Sequence, residues 1–362
     1  MTGWDTRQRK RLLSVEEIDG FRVIKTFAVS GFRRSLGRRL LNYLCFAVLA
    51  LGGGLREGAF DAVLMATDPI FVGPAGFLLA RYRSAALILD ERDLYPESAV
   101  ALGYLSSPWL IRVLQRGQNC LRARADLILA ATPGIKRLLT EVRIPDAKVV
   151  VFPNVRGFSA DLVDDDARVP LIQSPELWQG RFVALYVGKL GQANDVATIL
   201  RAARRLQGKF REIWFAVIGE GERRAECERC ITEWKLTNVM LLGALPWETT
   251  RCYLRAAAVG VQSFVREPFW HCALSTKIFD YMQAGKPVVF AGGGDTADLI
   301  RVSGGGIVVN AEDDAGLAQA IVQLYLDPLS AAAMGERGRK YVLSEFSKER
   351  MLATMRQALS ML

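Results

Sequence analysis

Apolar runs of four to seven residues alternate with amphipathic stretches through the second half of the chain. In the stretch at 195–206, the apolar positions 196, 199, 200, 203 and 206 fall on one helix face. The pattern predicts strands at 182–188, 213–218, 239–242, 259–262, 287–290 and 306–309, and helices at 195–206, 222–234, 247–256, 277–283 and 315–325. Strands that are apolar throughout and alternate with helices indicate a parallel sheet covered by helices on both faces.

The first half follows the same order of elements with weaker turn signals. Candidate strands lie at 22–26, 62–66, 86–90, 127–130 and 149–152, and a long basic helix is expected at 107–126. Residues 158–180 include three consecutive aspartates and two prolines, a composition typical of a linker. We therefore predict an α/β protein with two Rossmann-like parallel-sheet domains, 1–157 and 181–345, that face each other across a cleft. The amphipathic segment 346–362 is expected to form a last helix, packed on its own domain or back across the cleft.

The longest apolar segment runs from Leu40 to Leu51. It is interrupted by Asn42 and followed by glycines at 52–54. We expect a buried or membrane-surface helix that ends at these glycines. A membrane-spanning helix needs about 18 or more successive apolar residues. The first eleven residues are polar and basic with no apolar segment behind them, so no signal peptide is evident. Six cysteines at irregular spacing fit free thiols in a reducing cytoplasm.

The net charge of +9 is confined to the first half of the chain. Residues 1–157 hold 23 Lys and Arg against 14 Asp and Glu, whereas residues 158–362 hold 24 of each. Much of the excess lies at 7–11 and 33–39. Such a region attracts the phosphates of nucleic acid, anionic lipid or a lipid-linked pyrophosphate, and it also fits a solvated surface without a partner.

Glycine-containing turns follow two predicted strands of the second domain. Gly188-Lys-Leu-Gly191 follows the first strand, and Gly219-Glu-Gly221 follows the second. Ligands of parallel sheets bind at the carboxyl ends of the strands, and glycine lets the backbone approach a phosphate closely. A tight strand-to-helix turn would use the same residues, so these glycines alone do not define a site.

A third candidate is the start of the helix that follows Leu274. The segment Ser275-Thr-Lys277 opens this helix. Free backbone amides at a helix start bind anions, and the side chain of Lys277 adds a positive charge there. Asp280 shares that helix face and could accept a hydrogen bond from a ribose hydroxyl or pair with Lys277. From these residues alone, a capped helix with an i,i+3 ion pair is the better interpretation.

The block 275–289, Ser-Thr-Lys-Ile-Phe-Asp-Tyr-Met-Gln-Ala-Gly-Lys-Pro-Val-Val, resembles the donor-site signature of retaining family 4 glycosyltransferases of the GT-B fold. It is most similar to a subgroup that builds bacterial O-antigens and capsules and resembles N-acetyl-fucosamine transferases. Further similar blocks occur in the same order along nearly the whole chain, at 93–98, 131–134, 153–154, 186–188, 217–221, 238–243 and 304–309.

The resemblance implies roles for individual residues. It implies that Asp280 holds the donor ribose, and that Lys277 and Lys189 lie beside the diphosphate as catalytic groups. In the first domain it places catalytic Asp90 near the reacting carbon, with Arg92 and Asp93 on the acceptor side. The implied donor-binding set is Gly188, Lys189, Gly219, Glu220, Gly221, Leu242, Gly243, His271, Ser275, Lys277 and Asp280.

The chain also departs from the family pattern. A glutamate common eight positions before Asp280 is replaced by Cys272, and a lysine expected six residues after Lys189 is replaced by Asp195. The opening strand and Gly-Gly loop of the family have no counterpart, so we expect at least one strand–helix unit, roughly 30 residues, to be absent. Either the start codon is misassigned or the chain is a truncated, inactive relative.

Other residues that could carry chemistry give weaker signals. His271 is the single histidine, which excludes metal sites built from several histidines, and we interpret it as a donor-packing or plain loop residue. Cys227 and Cys230 lack a second pair, and Asp164 and Asp166 lie in the predicted linker. We therefore expect neither a required metal nor a cofactor.

The sequence thus predicts a metal-independent hexosyl or N-acetylhexosaminyl transferase. It would move a sugar from a UDP-sugar to a lipid-linked saccharide at the cytoplasmic membrane face, with the basic first domain against anionic lipid and without nucleic acid. The alternatives are a UDP-sugar epimerase of the same architecture and a truncated relative that only binds nucleotide. A nicotinamide dehydrogenase is disfavoured, because its Gly-x-Gly-x-x-Gly motif would need glycine where Arg224 stands.

Overall fold

The computed structural model describes residues 12–27, 36–155, 178 and 180–362. The described residues fall in two compact units: those of the first lie within 1–131, 135–152 and 358–362, and those of the second lie within 132–134 and 153–357. The basic clusters at 7–11 and 33–34 lie outside the described residues. So does most of the predicted linker, including Asp164 and Asp166.

The first part of the chain combines a hairpin with a four-stranded parallel sheet. The hairpin consists of β1 (Leu13–Ile18) and β2 (Phe21–Thr26). The sheet has the order β3-β4-β5-β6, with strands β3 (Ala62–Ala66), β4 (Ala86–Glu91), β5 (Leu127–Ala130) and β6 (Val149–Val151). The helices are α1 (Leu36–Arg56), α2 (Val72–Arg83), α3 (Glu97–Ala101), α4 (Pro108–Arg124) and α5 (Pro133–Glu141).

Two sequence-based expectations for this part are wrong. The strand predicted at 22–26 is β2, and it pairs antiparallel with β1 instead of joining the parallel sheet. Helix α1 does not end at the glycines at 52–54 but continues to Arg56. The physical reason is close packing, since a Cβ atom on Gly54 would overlap the side chain of Leu79 in α2. None of the helices in the described part of the chain is long and apolar enough to cross a bilayer.

The second unit contains a six-stranded parallel sheet in the order β12-β11-β10-β7-β8-β9. Its strands are β7 (Phe182–Val187), β8 (Ile213–Ile218), β9 (Val239–Gly243), β10 (Val259–Ser263), β11 (Val288–Ala291) and β12 (Gly306–Val309). Its helices are α6 (Val196–Leu206), α7 (Arg224–Glu233), α8 (Trp247–Ala256), α9 (Thr276–Gln283), α10 (Gly294–Ser303), α11 (Asp314–Leu326) and α12 (Pro328–Glu345). The last helix, α13 (Lys348–Leu359), belongs to this unit up to Gln357 and to the first unit from Ala358. All six strands occur within one or two residues of their predicted positions, as apolar runs of this length predict.

One aromatic contact fixes α9 against the sheet of the second unit. The ring of Tyr281 lies over Gly260 of β10, where any Cβ atom would overlap the ring. The Tyr281 hydroxyl accepts a hydrogen bond from Val187 N at 2.9 Å and donates one to Val261 O at 3.3 Å. Because residues four apart lie on one helix face, the same contact also orients Lys277, one turn earlier.

This contact yields a stability prediction. Gly260→Ala should lower the free energy of unfolding by about 1–3 kcal/mol, because the fixed ring cannot move away from an added methyl group. Urea unfolding monitored by circular dichroism measures the change. The control is Gly117→Ala in α4, where an added Cβ meets nothing within 4 Å, so that variant should be neutral or slightly more stable. Equal behaviour of the two variants would contradict the proposed packing.

Candidate functional site

Three glycine turns at the carboxyl ends of β7, β8 and β9 are joined by backbone hydrogen bonds. Gly188 N donates to Ile218 O at 2.8 Å, and Gly219 N donates to Gly243 O at 2.8 Å. Gly188 and Gly219 have φ of +152° and +153°, a conformation that side chains rarely adopt. A Cβ atom on Gly219 would also overlap Gly188 O. Glycine is therefore required at both turns by backbone conformation, and at Gly219 also by backbone packing, before any ligand is considered.

Lys277 crosses the first of these turns. Its side chain lies against Gly188 so closely that a Cβ atom there would overlap Lys277 Cε. The ammonium donates to Asn194 Oδ1 at 3.2 Å and lies 5.5 Å from the ring centroid of Tyr186. Burial lowers the pKa of Lys277 from its usual 10.5 to about 8, although the charge of Asp280 acts in the opposite direction. The turn therefore holds a partly buried ammonium that has lost much of the hydration it would have in water.

The start of α9 differs from an ordinary capped helix. Ser275 occupies the N-cap position, but its side chain makes no capping hydrogen bond. Its Oγ is buried and has no hydrogen-bond partner among the described residues. The Ser275 amide donates to Thr296 Oγ1 at 3.0 Å, which fixes the loop before the helix. The capped-helix interpretation of the sequence is thus wrong for Ser275.

The other polar residues at these turns are paired with charges of opposite sign. Lys189 Nζ is exposed and lies 3.3 Å from Glu222. Glu220 forms an ion pair with Arg224 at the start of α7. Gly221 packs against Leu190 O, and Leu242 and Gly243 form the end of β9. The structure therefore brings the predicted residues of the β7, β8 and β9 turns together at one edge of the sheet.

His271 lies in the short 3-10 segment Pro268–Cys272. Its ring lies beside Gly293, and its backbone carbonyl lies against Gly294 at the start of α10. The neighbouring Trp270 is buried, and its Nε1 has no hydrogen-bond partner among the described residues. His271 and Trp270 line a small pocket together with Phe264. His271 is thus a loop residue at the carboxyl ends of β10 and β11.

Asp195 has a structural function. Its side chain accepts a hydrogen bond from Thr198 N at 3.2 Å and caps the N-terminus of α6. The residue before it, Asn194, is the one that reaches Lys277. Sequence reasoning missed Asn194, and also its neighbour Gln262, a polar residue in the apolar strand β10. That contrast in polarity is the one signal that could have identified Gln262.

In the first unit, Asp90 and Arg92 form an ion pair at the end of β4, with 2.6 Å between Oδ2 and Nε. Asp93 lies in the following loop, and burial, followed by the charge of Asp68, raises its pKa. Between Asp90 and Arg92, Glu91 turns inward and binds Arg122 of α4, with 2.7 Å between Oε1 and Nε. Glu91 and Arg122 are both buried. Nothing in the sequence distinguishes Arg122 from the solvated arginines of the same helix.

Comparisons with known proteins agree with this architecture. A family model described as "Glycosyl transferase 4-like domain" matches residues 5–155, and one described as "Glycosyl transferases group 1" matches residues 181–327. The chain belongs to the group 1 glycosyltransferases.

Two curated relatives are similar at low identity. The chain is 26% identical over 231 residues to the lipopolysaccharide core biosynthesis glycosyltransferase LpsE of Rhizobium meliloti, an alignment that covers 62% of this chain and 61% of that enzyme. It is 26% identical over 240 residues to the 2-deoxystreptamine glucosyltransferase of Streptomyces kanamyceticus, which covers 66% and 58%. The chain thus spans about three fifths of the length of these relatives.

Solved structures share the fold. HepE of Anabaena, crystallised with UDP, superposes with a TM-score of 0.72 at 16% identity, covering 89% of this chain and 84% of that one. The α,α-trehalose-phosphate synthase of Burkholderia vietnamiensis superposes with a TM-score of 0.76 at 14% identity, covering 99% and 93%. These similarities confirm the predicted α/β class with parallel sheets and the GT-B fold.

The buried ammonium yields a pH-dependent prediction. Because the pKa of Lys277 is lower in the folded chain than in the unfolded chain, the unfolded chain binds more protons between about pH 8 and 10.5. Stability contributed by this group should therefore rise with pH across that window. Below it, the buried charge costs on the order of 3 kcal/mol.

Lys277→Met keeps the apolar stem and removes the charge, so it should raise the urea midpoint at pH 7 without ligand and abolish the alkaline rise. Urea unfolding at pH 7 and pH 10 measures both effects. Lys189→Met, at the exposed lysine of the same turn, is the control and should change neither. If Lys277→Met had the same urea midpoint as the wild-type chain at both pH values, the lowered pKa assigned to Lys277 would be refuted.

Proposed function

We propose that this chain transfers a sugar from a UDP-sugar to a lipid-linked saccharide in bacterial surface polysaccharide synthesis. The transferred sugar would be N-acetylated, and the reaction would proceed with retention at the cytoplasmic face of the membrane. The observation that carries the proposal is the partly buried Lys277 ammonium, held beside glycine turns at the carboxyl ends of β7, β8 and β9. A diphosphate is the ligand that such a cation among close backbone turns would stabilise.

In this reaction, negative charge develops on the departing diphosphate. Lys277 and the amides at the start of α9 would stabilise that charge, and their fixed positions avoid reorganisation during the reaction. Lys189 would contribute a second, more exposed charge after leaving Glu222. Asp280 would hold the donor ribose and His271 would pack beside the donor. These roles are proposed for the chain and require no metal ion.

The acceptor-side roles are proposed for residues of the first unit. Asp90 would act near the reacting carbon, with Arg92 and Asp93 at the acceptor. The raised pKa of Asp93 favours a protonated carboxyl group, which can donate a hydrogen bond to a sugar oxygen. The Glu91–Arg122 pair would keep this short segment in place.

Several relatives support the choice of donor and acceptor. Structures of HepE of Anabaena contain UDP and UDP-glucose. LpsE of Rhizobium meliloti acts in lipopolysaccharide core biosynthesis. The 2-deoxystreptamine N-acetyl-D-glucosaminyltransferase of Niallia circulans is 23% identical over 168 residues, covering 46% of this chain and 42% of that enzyme. The N-acetylated sugar is proposed in keeping with that relative and with the sequence signature.

A thermal-shift panel of UDP-, GDP- and TDP-sugars tests the donor. UDP-sugars should raise the melting temperature, because a ligand that binds only the folded chain stabilises it by mass action. Lys277→Met should abolish the shift and lower turnover on a matched donor by about two orders of magnitude or more. Lys286→Met, at another lysine whose pKa is lowered by burial, is the matched control. A shift given only by GDP- or TDP-sugars would overturn the assignment of uridine.

Product analysis separates transfer from the alternatives. Incubation with UDP-N-acetylglucosamine should release UDP only when a lipid-linked saccharide is present. Formation of an epimeric UDP-sugar without acceptor would instead support an epimerase. Binding without any turnover would support a relative that only binds nucleotide.

We also propose that α1 docks the first unit on anionic membrane. Leu41, Leu44 and Val48 recur at helical spacing and are 50%, 51% and 61% exposed. Arg38 and Arg39 are exposed one turn earlier. Exposed apolar side chains beside basic ones are typical of helices that lie in the headgroup region of a bilayer.

Flotation with liposomes tests this docking. The wild-type chain should float with anionic liposomes at low salt and much less at high salt, because salt screens the attraction to lipid headgroups. Leu44→Asp combined with Val48→Asp should reduce flotation severalfold. Leu329→Asp, at an apolar residue of α12 that is 85% exposed, should leave it unchanged. Wild-type flotation that is absent or equal at both salt concentrations would remove the proposal.

A further inference from the structure

A chain of side-chain amides leads from the interior of the second unit to Lys277. Gln262 Nε2 donates to Asn194 Oδ1 at 2.9 Å, and Lys277 Nζ donates to the same oxygen at 3.2 Å. Asn194 Nδ2 donates in turn to Lys189 O at 3.1 Å. Asn194 therefore contacts both lysines that the proposed function places beside the diphosphate, one through its ammonium and one through its backbone.

Asn194 is held firmly enough to act as a fixed acceptor. It is buried, and its backbone forms an isolated antiparallel bridge with Phe264, the residue that follows β10. Its carbonyl accepts from Arg223 Nη1 at 3.4 Å. Gln262 is fully buried in β10, and its Oε1 has no hydrogen-bond partner among the described residues. A buried amide oxygen without a hydrogen bond lowers the stability of the folded chain. Stability therefore does not explain a glutamine at position 262, and we attribute it to the hydrogen bond that its Nε2 donates to Asn194.

We propose that Asn194 and Gln262 are positioning residues that hold the Lys277 ammonium over the Gly188 turn and set the pH range in which it is charged. The proposal rests on the proposed function, since it is the diphosphate of the donor that needs this charge. Asn194 is suited to the task because its acceptor oxygen is neutral. A carboxylate at the same place would neutralise the ammonium and compete with a phosphate for it.

The titratable groups around Lys277 do not replace this acceptor. Asp280, on the same helix, favours the charged form of the ammonium, but burial has the larger effect. Tyr186 of β7 and Tyr281 of α9 both have pKa values raised by burial, so both are neutral near pH 8. Lys189, in the loop that contains Asn194, pairs with Glu222. The protonation of Lys277 should therefore respond directly to the group at position 194.

Nuclear magnetic resonance can measure this response without any ligand. The chain is labelled with ¹³C at lysine Cε, and the Lys277 signal is assigned by its loss in Lys277→Met. The titration midpoint should be near pH 8 in the wild-type chain. In Asn194→Asp it should move up by about one pH unit or more, because a carboxylate then contacts the ammonium. In Asn194→Ala it should move down, because the charged form loses its hydrogen bond.

Two further variants separate positioning from folding. Asn238→Asp is the matched control, since Asn238 is also buried but donates to Ala203 O, so it should leave the Lys277 midpoint unchanged. Gln262→Leu keeps a similar size and removes the hydrogen bond that orients Asn194 Oδ1 towards Lys277, so it should shift the midpoint in the same direction as Asn194→Ala, by less. A purely structural role would give no opposite shifts for the two Asn194 variants. Equal midpoints in all variants, or a wild-type midpoint near 10.5, would overturn the proposal.

Binding of UDP measured by calorimetry from pH 6 to 10 connects the titration to the proposed function. Affinity for UDP should fall up to tenfold per pH unit above the wild-type midpoint, and the onset of this loss should move up in Asn194→Asp. If UDP does not bind the wild-type chain at any pH, the proposed function fails, while the titration still decides whether Asn194 positions Lys277. If UDP binds with an affinity that does not depend on the Lys277 midpoint, binding of a uridine nucleotide is retained, but the assignment of the Lys277 charge to the diphosphate is refuted.

Discussion

The second unit is organised around one buried ammonium, that of Lys277. Gly188 must lack a side chain because the stem of Lys277 occupies that space, and Gly260 must lack one because the ring of Tyr281 does. Tyr281 lies one helical turn after Lys277, and its hydroxyl bonds to the backbone of both β7 and β10. Packing that holds a charge out of water is costly. Such cost is typical of sites where the charge acts on a ligand.

In the first unit, the buried charge is paired with a charge of opposite sign. Glu91 and Arg122 neutralise each other, and Thr67 Oγ1 adds a donor to Glu91 at 3.1 Å. A buried pair of this kind adds little net stability, but removing one partner would leave an unpaired charge in the core. The pair fixes the backbone between Asp90 and Arg92, so their side chains leave the end of β4 in defined directions. The Glu91–Arg122 ion pair thus holds the candidate residues of the first unit in place, whereas the neutral amide of Asn194 holds Lys277 in the second unit.

Whether a feature of the fold or of the candidate site could be predicted from the sequence depends on how far apart along the chain the interacting residues lie. Strands such as β8 and β11 are apolar over their whole length, and that local signal located them correctly. Helix α12 was missed because its buried positions are mostly small residues such as Ala331 and Gly338, which form no apolar stripe. Asn194 and Gln262 are 68 residues apart in the chain. Their contact depends on tertiary packing, so no local pattern could reveal it.

The partners of the cations at this sheet edge distinguish Lys277 from its neighbours. Lys189 pairs with Glu222, Arg223 with Glu226 and Arg224 with Glu220, so a carboxylate already opposes each of these charges. Asp195, at the position where the family resemblance calls for a second lysine, caps α6 and supplies no positive charge. Lys277 differs because the oxygen that accepts its hydrogen bond is neutral. An anion entering these turns would have to displace a hydrogen-bonded carboxylate from the other cations, whereas the ammonium of Lys277 donates to an amide oxygen. Of these four cations, Lys277 is therefore the one most available to a phosphate.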